Sequence, residues 1–220
     1  MLGWIRSSVP IWQSLIIAGV VAEQPATRNP SPRECVHVPV GADSLLTRGD
    51  VKQKLNRKRY PDAYSSALDI LVGREPLQVR AISWNAPGDG VLLIFSCSGR
   101  LKSTTSTGPV DSLWVVSFNG SVPPIVAVLS AHQTALSYRD SSITLYRVNA
   151  REPVQVWSAV FYEESAARDG DPLTVSRRLR FDGRRGIIRV TEVGSDGQGV
   201  GGDEVFSWDK RLQRFVRTTE

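Results

Sequence analysis

From residue 78 onward the chain is a succession of short segments rich in Val, Ile, Leu and aromatic residues, cut by turns of one recurring form. In Trp84-Asn85-Ala86, Phe118-Asn119-Gly120, Val148-Asn149-Ala150, Phe181-Asp182-Gly183 and Trp208-Asp209-Lys210, a large apolar residue precedes Asn or Asp, and a small residue usually follows. Asn and Asp tolerate left-handed backbone and bond their own main chain, so each is a hairpin signal. Segments 78–84, 91–97, 113–118, 125–130, 143–148, 154–162, 173–181, 186–193, 204–208 and 214–218 read as strands. Several alternate, as in Arg178-Leu179-Arg180-Phe181 and Ile188-Arg189-Val190-Thr191, which gives a sheet one buried and one wet face. The turns recur about every 30 residues, a period that suits repeated two- to four-stranded units or the ordinary turn density of an all-β domain.

The segment before this array reads differently. Residues 43–72 look helical: Asp50 is placed to cap a helix over 51–59, and Pro61 suits the first turn of a second helix over 63–71. Tyr64, Ala67, Leu68 and Leu71 share one face of that second helix at three- and four-residue spacing, and Gly73 stands at a C-terminal glycine cap. The fold class expected is mainly β (α+β), with a short N-terminal helical part packed on an antiparallel β-sandwich, meander or partial propeller. With 220 residues, 41% apolar and 22% charged, the chain is long and apolar enough for one well-packed domain.

Residues 1–22 read as a signal peptide. Arg6 is the only charged side chain, an apolar run covers 15–21, and Val20 and Ala22 supply small residues for cleavage before Glu23. The run is much shorter than the roughly 20 residues that cross a bilayer, so no transmembrane anchor is expected. Residues 23–42 form a Pro-rich linker, with Pro25, Pro30 and Pro32 breaking regular structure, and 43–220 form a single β-rich domain. The localisation expected is periplasmic or extracellular. Cys35 and Cys97 are the two cysteines, and in an oxidising compartment an isolated pair reads as a disulfide. It closes a loop of about 60 residues, worth roughly 4 kcal/mol as an upper figure.

Net charge is +5, carried by 22 Arg against 5 Lys, a ratio that points to a GC-rich, bacterial coding origin. Two basic groups read first as solvated faces and are the candidate polyanion contacts: Lys52, Lys54, Arg57, Lys58 and Arg59, and then Arg177, Arg178, Arg184 and Arg185, with Arg180 and Arg189 in the same stretch. For an exported chain the partner expected is an unknown protein, or an envelope glycan or other anionic polymer, rather than nucleic acid.

Candidate catalytic and metal sets are thin. Cys35, His37, Cys97 and His132 make a notional zinc set, but the paired spacing of zinc sites is missing and a disulfide removes the thiolates. Ser96-Cys97-Ser98-Gly99 is similar to the Cys-Ser-Gly of cell-wall cysteine peptidases, yet that family sets its Cys at a helix start, whereas residues 100–108 here read as a loop. The loop 194–204 offers carboxylates without the Asp-x-Asp-x-Asp-Gly order of a calcium loop. Arg48-Gly49-Asp50 spells an adhesion tripeptide, with Asp50 better used as a cap. Trp84, Trp114, Trp157 and Trp208 sit inside strands, where they fill core rather than stack sugars. Glu163 and Glu164, in the richest acidic group, are adjacent and so point to opposite faces. No cofactor is expected. The closing unit, with Phe206-Ser207-Trp208-Asp209 before Arg214-Phe215-Val216, resembles the last hairpin of exported bacterial β-rich proteins of uncharacterised function. That resemblance implies an exported β-rich protein and no functional residue. The function expected is a non-enzymatic binding or accessory protein; the alternatives are a cell-envelope hydrolase and a basic polyanion binder.

Overall fold

The computed structural model describes residues 35–55, 63–72, 75–84, 89–118, 122–134, 138–149, 152–165, 173–194 and 198–218. The leader, the first part of the Pro-rich linker, Arg57, Lys58 and Arg59 lie outside the described residues. Two short helices come first, α1 (Ala42–Thr47) and α2 (Gly49–Leu55). A four-stranded sheet follows in the order β1 (Ala63–Val72), β2 (Glu75–Trp84), β3 (Gly90–Ser96), β4 (Leu101–Thr107). The remaining strands are β5 (Ser112–Val116), β6 (Ile125–Thr134), β7 (Tyr138–Arg147), β8 (Val154–Ser165), β9 (Leu173–Asp182), β10 (Ile187–Val193), β11 (Glu204–Asp209) and β12 (Arg214–Thr218). They form one eight-stranded meander in sequence order, so the sheet is continuous and not divided into propeller blades. Every named pairing is antiparallel.

Three of the five Asn/Asp turns share a common place, while Asn85 and Asn119 lie outside the described residues. Asn149 follows β7, Asp182 and Asp209 end β9 and β11, and their Oδ1 atoms accept main-chain N–H groups from Glu152, from Arg184 and Arg185, and from Arg211 and Leu212. In an up-and-down sheet successive turns alternate ends, so these turns share one end. The period of about 30 residues is therefore the length of a two-strand hairpin unit.

Two expectations for the N-terminal half are corrected. Residues 63–71 are not a helix: they belong to β1, paired with β2 from Ala63↔Trp84 to Val72↔Glu75. Leu68, Ile70 and Val72 alternate inward, while Ala67, Asp69 and Leu71 are exposed. A period of two fits the burial, and ten residues of ladder outweigh a marginal helical stripe. Residues 101–107 are not a loop either, but the edge strand β4, whose Ser and Thr residues pair with the fully buried β3. The helix expected over 51–59 is described as α2, beginning at Gly49. Asp50 stands in its first turn, with its carboxylate committed to Arg48 (2.7 Å), so Arg48 and Asp50 of the tripeptide pair with each other.

Three cores stack through the molecule. Val38, Ala42, Leu45 and Val51 cover one face of the smaller sheet over Ile82, Trp84, Leu93 and Phe95. The other face, with Leu77, Val79, Leu92 and Ile94, packs on Val126, Val128, Tyr146 and Val148 of β6 and the β7 end. This is sandwich packing of two sheets. The larger sheet then gathers Ile125, Leu145, Trp157, Leu179, Ile188 and Phe215 on its second face. β6 is therefore apolar on both faces from Ile125 through Val128, which is why it reads as an unbroken hydrophobic run.

Candidate anion-binding face

The first residues of the described chain are fastened to the smaller sheet. Cys35 and Cys97 are joined by a disulfide with a Cα separation of 4.6 Å, and the Val36 N–H donates to the Cys97 carbonyl at 2.8 Å. The Gln78 carboxamide brackets the same segment, donating to Val36 O (2.8 Å) and accepting from the Val38 N–H (3.0 Å). Arg80, 1% exposed, donates to Val38 O, to Gln78 Oε1 and to Asp69 (2.8 Å). Gly99 permits the tight turn between β3 and β4 with φ at +75°, and Arg48 caps that turn by donating to the Gly99 carbonyl. The end of the segment read as linker thus packs as part of the domain, with Val38 fully buried. His37 is exposed, and His132 lies on the larger sheet. Among the described residues no group of three or more His, Cys, Asp or Glu gathers to hold a metal ion.

Strand alternation sorts the basic residues of β9. Leu179 is buried in the core of the larger sheet, so Arg178 and Arg180 face the other way and are exposed. Arg177 is on the side of Leu179, where its Nη1 donates to Val160 O at 2.9 Å, beside the point where β8 and β9 part. Across the ladder Arg180 stands directly opposite Arg189, and Arg178 opposite Thr191. Like charges at directly opposed positions oppose folding, and here Asp203 answers one of them, 3.6 Å from Arg189. Arg184 and Arg185 occupy the exposed turn that follows, with Arg185 at 3.8 Å from Asp182. Lys52 and Lys54 are exposed on α2, which packs against α1 and β4 of the other sheet. Lys52 and Lys54, the described members of the first basic group, therefore sit on a helix beside the smaller sheet, apart from the second group on the larger sheet. The residues that make one face are Arg178, Arg180 and Arg189.

A second polar group comes from register alone. His132 of β6 is opposite Asp140 of β7, and Asp140 is opposite Glu163 of β8. Glu164 faces away, opposite Arg139, and accepts from the Tyr162 hydroxyl at 2.9 Å. Burial and the charges of Asp140 and Glu163 push the Tyr138 phenol upward. Sequence alone found Glu163 but not its facing carboxylate Asp140, because a cross-strand neighbour is visible only once register is known. A third feature is an open cleft of about 450 Å³ lined by Gln155, Trp157, Arg214, Phe215 and Arg217, where β12 curls against β8. Arg147 donates to Gln213 Oε1 at 2.7 Å, and Arg217, which lines the cleft, is paired with Glu204 at 3.1 Å. Trp84 and Trp157 are buried, while Trp114 and Trp208 pack against the core of the larger sheet. In the glycine-rich loop, Asp203 and Glu204 are each turned to an arginine.

Comparison with protein-family models, with curated proteins and with solved structures finds no match to this chain.

Proposed function

We propose that this chain is an exported, non-enzymatic binding or accessory protein, and that its partner is an anionic polymer or an acidic protein of the cell envelope. Two separate features support export: the leader-like pattern of residues 1–22, and the Cys35–Cys97 disulfide, a bond that persists in oxidising compartments. The binding surface rests on one observation, the facing of Arg180 and Arg189 beside Arg178 on a solvent-exposed strand pair. Two guanidinium groups held side by side on a stiff ladder offer forked donors to a phosphate, sulfate or carboxylate group, and a bound anion relieves the repulsion that Asp203, paired with Arg189 alone, leaves at Arg180. The test is retention on a sulfated-polysaccharide resin. The native chain elutes at higher salt than Arg180→Gln, and higher still than the Arg180→Gln, Arg189→Gln double variant. Equal elution of all three overturns the reading.

A hydrolase reading also has one specific observation behind it, the opposed carboxylates Asp140 and Glu163 with Tyr138 beside them. Glycoside hydrolysis is the chemistry that two facing carboxyl groups can perform. A folded Asp140→Asn, Glu163→Gln protein that loses a measured envelope-glycan cleavage establishes that reading, whereas unchanged polymer retention by the same protein supports binding.

A further inference from the structure

We propose that the free edge of β4 is a pairing surface for a second copy of this chain. The smaller sheet ends in β1 and β4, the larger in β5 and β12. β1 lies alongside β5, with Ser66 Oγ donating to Asp111 O (3.4 Å), and β12 curls against β8. Among the described residues, β4 is thus the terminal strand whose outer edge has no strand beside it. A bare edge presents unpaired main-chain donors and acceptors, and proteins usually blunt it with charge, proline, a bulge or a covering element. Such protection is confined to the start of β4. The Leu101 N–H goes to Asp50 Oδ2 of α2 (3.4 Å), Lys102 is 3.8 Å from Glu75, and the register shift lies between Ile94 and Phe95. Residues 103–107 are Ser, Thr, Thr, Ser and Thr, with no charge and no proline.

This stretch is complementary to itself. Antiparallel pairing about a two-fold axis at Thr105 sets Thr104 opposite Ser106 of the partner subunit, and Ser103 opposite Thr107 of the partner subunit. The Thr104–Ser106 pairs are then hydroxyl to hydroxyl, a favourable combination, Ser103 itself being buried, and no charge opposes the approach. An acidic or basic peptide finds no complementary charge on this stretch. The contact is isologous and closed, so it stops at a dimer and joins two four-stranded sheets into one. So short an edge buries little area, and the dimer forms only at high protein concentration.

Sedimentation across a concentration series, with the native disulfide intact, tests this. The native chain passes from monomer to dimer. Thr105→Lys and Thr105→Glu each remain monomeric over the same range, because like charges meet on the axis. An equimolar mixture of the two variants restores the dimer. Hydrogen exchange on the native chain supplies a readout that needs no variant: protection of residues 103–107 rises with concentration, while β12 amides are unchanged. A native chain that stays monomeric, a dimer that survives in both variants, or a dimer whose 103–107 amides exchange as in the monomer overturns the proposal.

Discussion

Arg80 is the buried charged residue among the described residues, and the rank of its contacts predicts an asymmetry. Its guanidinium holds Val38 and Gln78 inside the protein, whereas its counter-ion Asp69 is 69% exposed. Arg80→Ala leaves a cavity and unpaired acceptors, and the expected loss is about 2–4 kcal/mol. Asp69→Asn keeps an acceptor in a largely solvated position, so the loss is about 1 kcal/mol or less. Urea unfolding of both variants checks the order, and equal losses contradict it. Asp111 supplies a pH dependence. Burial, opposed by hydrogen bonds from the Ala131 N–H and Tyr64, raises its carboxyl above the ordinary value. A carboxyl with a raised folded pKa binds its proton more tightly in the native state. Its contribution to stability therefore grows as pH falls through the raised pKa, and it is complete below the unfolded value. Asp111→Asn keeps an acceptor for Ala131 and removes the titration. The native chain is expected to gain on the Asn variant between neutral and mildly acidic pH in urea midpoints measured side by side.

At the scale of elements, β1 is where the local pattern and the fold disagree. A helix over 63–71 would bury Leu71 and a strand buries Ile70, and the structure has Ile70 7% and Leu71 42% exposed. Ile70→Ala is expected to cost about 2–4 kcal/mol and Leu71→Ala less than about 1 kcal/mol. The reverse order in thermal or urea unfolding restores the helix. The segment is open to both readings because Ala, Ser and Leu serve either period, and only the β2 ladder selects the strand. β4 hides for a different reason. Its Ser and Thr look like loop residues, yet Thr is β-branched and fits a strand whose inner partner, β3, supplies all the apolar surface.

For the whole molecule, the disulfide spans a sequence separation of 62 and ties the first described residues to the far end of β3. A Cys35→Ala, Cys97→Ala protein is expected to lose up to about 4 kcal/mol, read as a lowered unfolding midpoint, and native unreduced protein is expected to resist alkylation at both thiols. The proposed export adds a second expectation at this scale. Protein from the native host begins near Glu23 and is recovered outside the cytoplasm; intact Met1 in a cytoplasmic fraction contradicts it. The three cores also order the consequences of damage. Val126 and Ile125 are adjacent in β6 but belong to different cores, so truncating either loosens a separate pair of layers.

Composition and spacing were enough to mark ten of the strands, the Asx turns and the one possible cysteine pair, because these depend on side-chain type and near neighbours along the chain. Tryptophan burial was also legible, since a Trp inside an apolar alternating run has few other places to go. The division into two sheets, the conversion of 63–72 to strand and the exposed edge of β4 were decided by long-range pairing, which no local period encodes. The same holds for the candidate face. Arginine abundance around 177–189 was plain, but strand alternation turned Arg177 away from Arg178 and Arg180, and register alone set Arg189 opposite Arg180. A slip of one residue would have reversed those faces, and the buried row of Leu179, Ile188 and Val190 is what forbids the slip.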